Sequence, residues 1–181
     1  MTSVEGGTGN TATATLTVAG IAPPTIGKTF GAGNIPANGT ASLSFTITNP
    51  NAATALTGVG FTETFPAGLV ISTPNGLTGS CGGGAITATA GTGAVSLTGA
   101  TLAANSSCTF SVSVIGTTLG AKINTTGAVT SVEGGTGGTA TAALTVGILV
   151  PVPTLQQGAL CLLGLLILIV TGVTSRSRRS D

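Results

Sequence analysis

Hydrophobic and polar residues alternate at period two along most of this chain. Leu43, Phe45 and Ile47 interleave with Ser42, Ser44, Thr46 and Thr48, and Phe110, Val112 and Val114 interleave with Thr109, Ser111 and Ser113. Ala140, Ala142, Leu144 and Val146 repeat the pattern near residue 140, as do Ala12, Ala14, Leu16 and Val18 near the start. Shorter runs occur at 69–71, 86–88 and 95–97. Strict alternation places one face against a core and one against solvent, the signature of antiparallel strands. Between the runs stand Asn49-Pro50-Asn51, Pro66-Ala67-Gly68, Pro74-Asn75-Gly76, Gly82-Gly83-Gly84 and Gly91-Thr92-Gly93, all turn formers. About seven short strands so punctuated predict an all-β, immunoglobulin-like antiparallel β-sandwich. No helical period is found before Gly158.

From Gly158 to Thr174 the pattern changes to GALCLLGLLILIVTGVT, apolar on every side. At about 1.5 Å per residue this run spans roughly 26 Å, the short end of what crosses a bilayer. Arg176, Arg178 and Arg179 follow it. The positive-inside rule keeps such a cluster cytoplasmic as a stop-transfer signal and sends the preceding residues outward. The expected organisation is therefore an extended linker at 148–157, one transmembrane helix at 158–175 and a basic cytoplasmic tail at 176–181. The membrane is an expected partner, and the β-domain is expected outside the cytoplasm, anchored at an inner membrane.

The two ends of the β-region are nearly the same sequence. Residues 2–18 match residues 130–146 at 15 of 17 positions, differing only at Asn10 against Gly138 and Thr15 against Ala143. Such self-similarity marks tandem repeats. Residues 1–20 then read as the terminal strand of a preceding, truncated repeat, and 21–147 as one complete repeat. Neighbouring repeats of the same protein are the expected packing partners. Met1-Thr-Ser-Val-Glu-Gly-Gly has neither a basic nor an apolar leader segment, which fits a start inside a longer ancestral protein.

Composition narrows the chemistry. Only 5% of the 181 residues are charged and the net charge is +1, so no basic field exists for nucleic acid. Histidine, tryptophan and tyrosine are absent, which excludes Ser-His-Asp and Cys-His catalysis and histidine metal sites. A Ser-Lys pair using Lys28 or Lys122 is the only hydrolytic option left, and no local motif supports it. We expect no enzyme, no cofactor and no metal site. Glu5 and Glu133 occupy equivalent positions in Gly-rich turns and read as turn charges. Asn38, Asn105 and Asn124 begin Asn-x-Ser/Thr sequons to which no role is given.

Cys81 and Cys108 are the only cysteines outside the apolar segment, and each adjoins a strand-like run. A disulfide between them would stabilise by about 3.5 kcal/mol in the chain-entropy model and fits an oxidising exterior; free thiols are the alternative. Cys161 lies inside the apolar helix.

Pro24-Thr-Ile-Gly-Lys-Thr-Phe, Ser44-Phe-Thr-Ile-Thr-Asn-Pro, Phe61-Thr-Glu-Thr-Phe-Pro-Ala-Gly-Leu and Ser107-Cys-Thr-Phe-Ser-Val-Ser-Val together resemble the immunoglobulin-like conserved-repeat domains of bacterial surface and secreted proteins. The tail resembles a second family, the IPTL-CTERM sorting signal of Gram-negative bacteria, here as Val152-Pro153-Thr154-Leu155, helix and arginine cluster; Gly158 stands near the place where that family often has Trp. That resemblance implies an exosortase-type sorting protease as a partner, with release to the outer surface or medium. Independently, Pro151 and Pro153 keep the motif extended, as a protease requires of its substrate.

Two functions follow as expectations. The first is an exported structural or display repeat, a stalk or adhesin-like spacer without catalysis. The alternative is an extracellular glycan- or protein-binding module, which would present some of Phe30, Phe61 and Phe65 at the surface. A narrower possibility concerns Lys28 on an early strand, Asn124 near a late one and Glu63, the sole mid-domain acid. Some bacterial immunoglobulin-like domains join such a Lys and Asn through an isopeptide bond promoted by a carboxylate.

Overall fold

The computed structural model describes residues 2–16 and 20–148. The expected transmembrane helix, the sorting motif Val152–Leu155, Cys161 and Arg176, Arg178 and Arg179 lie outside these residues. Among the described residues every regular element is a strand: β1 (Thr2–Ser3), β2 (Gly7–Thr8), β3 (Thr25–Phe30), β4 (Asn34–Pro36), β5 (Thr40–Thr48), β6 (Leu56–Thr64), β7 (Leu69–Ile71), β8 (Thr78–Ser80), β9 (Ala85–Thr87), β10 (Ala94–Leu102), β11 (Ser107–Gly116), β12 (Gly120–Thr125), β13 (Thr130–Ser131), β14 (Gly135–Thr136) and β15 (Thr141–Gly147).

Three sheets enclose one core. The first runs β3-β5-β11-β7 with β8 also on β11, the second β14-β13-β6-β10-β9, and the third β12-β15-β4. Pairings are antiparallel except β15 with β4. Alternation sets the register. Phe45 lies opposite Phe110 and Leu43 opposite Val112, so the apolar members of β5 and β11 share one face. Leu43, Phe45, Ile47, Phe110, Val112 and Val114 are all buried, as are Leu144 and Val146 on β15.

The outward faces explain how the domain manages with so few charges. Ser44 pairs with Ser111, Thr46 with Thr109 and Thr125 with Thr141 through cross-strand hydroxyl contacts of 2.7–3.0 Å. These ladders satisfy polar groups across strands and stabilise by a few tenths of a kcal/mol to about 1 kcal/mol each.

The structure departs from the sequence expectation at the N-terminus. Residues 130–146 supply β13, β14 and β15, and their near-copy forms the matching β1-β2 hairpin. The alternating stretch at Ala12, Ala14 and Leu16, however, forms no strand, and Leu16 is 88% exposed where its counterpart Leu144 is 1% exposed. Nearly equal sequence here gives unequal structure because a strand needs edges to pair with. The slot between β12 and β4 is already filled by β15.

Candidate functional site

The centre of the sandwich holds three polar side chains. β3 places Lys28 opposite Phe45 of β5, β6 places Glu63 opposite Val95 of β10, and β12 places Asn124 opposite Ala142 of β15. The three positions belong to three different sheets, and their inward-facing parity sends all three side chains to one point. Lys28 Nζ donates to Glu63 Oε1 at 2.8 Å, and Asn124 Nδ2 donates to the same oxygen at 2.5 Å. Both side chains of the Lys28–Glu63 pair are 0% exposed, and so is Asn124.

The surroundings are apolar. Phe45, Phe61 and Phe110 pack with ring centroids 5.1–6.3 Å apart, and Lys28 Nζ lies 5.9 Å from the Phe45 centroid. Burial therefore pushes the Lys28 ammonium below its ordinary pKa, against the hydrogen bond and charge of Glu63, which act the other way. Glu63 Oε2 and Asn124 Oδ1 are buried without a hydrogen-bond partner. Each such orphan costs about 1–3 kcal/mol, and a buried ion pair repays its desolvation poorly. As a device for stability alone this cluster is a weak solution.

Close backbone approach makes the cluster possible. Just after β12, Gly127 donates its N–H to Thr62 O of β6 at 2.8 Å, and a Cβ at Gly127 would sit 2.8 Å from that same oxygen. Only a glycine lets the chain leaving β12 lie directly on β6, beside Glu63.

The other singled-out residues separate clearly. Lys122 is buried too, but its Nζ donates to Ala67 O at 3.1 Å and to Thr118 Oγ1 at 2.7 Å, away from Glu63. Cys81 and Cys108 form a disulfide with Cα atoms 5.0 Å apart, tying the turn after β8 to β11. Glu133, in the β13-β14 turn, accepts from Thr57 N at 2.6 Å and Thr57 Oγ1 at 2.5 Å, clipping that hairpin to β6. These bonds hold its carboxyl below the ordinary range. Asn38 and Asn105 have φ of 59° and 53°, so two of the sequons are left-handed turn positions; the third is the buried Asn124. Sequence reading missed Asn49, taken only as a turn residue. It is fully buried, and its Nδ2 donates to Thr54 O, Leu102 O and Ala103 O at 2.8–3.1 Å.

Phe45, Phe61, Phe65 and Phe110 are buried, and Phe30 is half-buried against the core. A shallow surface depression of about 370 Å³ is lined by Gly58, Gly60, Thr62, Thr98 and Gly99 among others, with no charged group.

This architecture defines an all-β sandwich of the immunoglobulin-like type. Over residues 24–146 the chain matches the family described as Domain of unknown function (DUF7933), and it belongs to that family. No curated protein matches it. Among solved structures it is similar to a variant of BcpA, the major pilin subunit of Bacillus cereus, at 14% identity and a TM-score of 0.50, covering 69% of this chain and 40% of that one. It is also similar to the collagen adhesin (CNA) from S. aureus, at 10% identity and a TM-score of 0.47, over 67% of this chain and 48% of the adhesin. A third similarity is to the major pilin SpaD from Corynebacterium diphtheriae, at 12% identity and a TM-score of 0.44, over 67% and 34% of the two chains. The chain thus spans less than half the length of each.

Proposed function

We propose that this chain is an exported structural repeat, a stalk or spacer of a bacterial cell surface, held at the membrane by residues 158–175 and sorted through Val152-Pro153-Thr154-Leu155. One observation favours this over the ligand-binding alternative. All five phenylalanines face or pack against the core, so the aromatic platform that stacking on a sugar requires is missing from the described surface. The Thr/Ser-covered sheets and the Cys81–Cys108 disulfide suit a module that must persist outside the cell. The likeness of fold to a pilin subunit agrees with such a role.

The reading is tested by expressing the full chain behind a cleavable export leader in a Gram-negative host that carries a sorting protease of this type. Antibody against the β-domain should label intact cells, and the chain should lose its C-terminal segment. Pro153→Ala should leave the chain uncut and retained at the inner membrane. Recovery of uncut chain with reduced Cys81 and Cys108 from the soluble cytosol would sink the proposal.

A further inference from the structure

We propose that Lys28 and Asn124 condense to an intramolecular isopeptide bond, with Glu63 as the acid–base group. Lys28, Glu63 and Asn124 meet at the shared oxygen Glu63 Oε1, buried behind three phenylalanines. This chemistry is independent of where the chain is displayed.

The geometry supplies each requirement of the reaction. Two nitrogens bonded to one oxygen can lie no further apart than those two bonds laid end to end, so nucleophile and leaving group are held as close neighbours. The nucleophile must be a neutral amine. In this apolar setting the Lys28 ammonium passes a proton to the Glu63 carboxylate, exchanging a buried charge pair for two neutral groups. Lys28 Nζ then attacks Asn124 Cγ. The Nζ–Cγ bond forms, Glu63 delivers its proton to Nδ2 and accepts one from Nζ, and the Cγ–Nδ2 bond breaks with release of ammonia. The products are one secondary amide, one protonated Glu63 and ammonia. Atoms and charge balance without oxidant, metal or co-reactant.

The orphaned atoms gain a purpose in this account. Before condensation Glu63 Oε2 and Asn124 Oδ1 have no partners. Afterwards a protonated carboxyl is a donor and the new amide carbonyl an acceptor, while the amide N–H can donate to Oε1. The cluster then has a full set of hydrogen bonds and no buried charge. Lys122 takes no part, because its Nζ is directed to Ala67 O and Thr118 Oγ1 and not to Glu63.

Intact mass of the purified, reduced full chain reads the outcome. The expected mass is lower than the sequence mass by one ammonia. Trypsin should fail to cut after Lys28, and the peptide carrying Asn124 should remain joined to the one carrying Lys28. Glu63→Gln should keep the full mass while retaining the β-sheet circular dichroism of the parent. A parent chain at its full sequence mass overturns the proposal. So does ammonia loss with free cleavage after Lys28, since that pattern belongs to succinimide formation at an asparagine. Ammonia loss in Glu63→Gln overturns the role given to Glu63.

Discussion

The bond between Lys28 and Asn124 has an energetic signature that a double-mutant cycle isolates. A covalent link between these residues closes a loop of about 96 residues, and the chain-entropy relation for such a loop gives about 4.7 kcal/mol of stabilisation through the unfolded state. The Cys81–Cys108 bridge lies within that loop and shortens it, but loop entropy grows only with the logarithm of length, so the figure changes by a few tenths of a kcal/mol. Lys28→Ala and Asn124→Ala each abolish the link. Each single variant therefore loses the whole of about 4.7 kcal/mol, and the double variant loses it only once. Urea titrations of the parent, both singles and the double should give a coupling energy of about 4–5 kcal/mol. A hydrogen-bonded cluster without the link gives about 0.5–3 kcal/mol. The urea slope should also rise in every unlinked variant, because its unfolded chain exposes more surface. Coupling below 3 kcal/mol with an unchanged slope would refute the reasoning.

Two further outcomes follow from the rest of the site. Hydrogen bonds from Thr57 hold Glu133 below the ordinary glutamate pKa of 4.5, so its contribution to stability is complete above pH 4.5 and is lost as pH falls through its lowered folded value. Glu133→Gln should therefore be less stable than the parent at neutral pH, with the difference closing in acid; a gap independent of pH would count against the clip. At Asn49 the buried amide faces three backbone carbonyls. Asn49→Ala should cost about 2–4 kcal/mol by leaving some of them unpaired, and the isosteric Asn49→Asp should cost more, because it turns an acceptor towards acceptors. Denaturation midpoints in the reverse order would show that the carbonyls find other partners.

Much of this fold is legible in the sequence, for a physical reason. A strand with one buried face must alternate, and the runs around Phe45, Phe110 and Leu144 do so without interruption. Their inward parity is the one observed. The turn formers fall between strands because Gly, Pro and Asn accept backbone conformations that other residues resist. Residues 9–16 show the limit of such reading. They alternate as well as residues 137–144 do, yet stay exposed, since pairing edges belong to the tertiary structure and not to the strand itself. The site divides in the same way. Lys28, Glu63 and Asn124 stand out in a chain this poor in charge, and Lys28 shares the inward parity of Ile26 and Phe30 as Glu63 shares that of Phe61. On β12 the alternation would bury Ile123, which is instead 61% exposed while Asn124 is buried. That all three reach one oxygen depends on the approach of β12 to β6 at Gly127, and no local pattern encodes that approach. Asn49 was hidden for a related reason: its partners at Leu102 and Ala103 lie far away in sequence, while Asn49-Pro50-Asn51 already explains itself as a turn.

A β-domain locked from β3 to β12 should hardly lengthen under load. Stretching the full chain by its ends in a single-molecule force experiment tests this most directly. With the Lys28–Asn124 bond in place, force passes from β3 to β12 through two side chains, and roughly 330 Å of contour between them stays hidden, at about 3.4 Å per residue. The account predicts unfolding lengths short of the whole domain by that amount, with the deficit abolished in Glu63→Gln. A deficit of only roughly 90 Å, the share of the 27-residue Cys81–Cys108 separation, would contradict it.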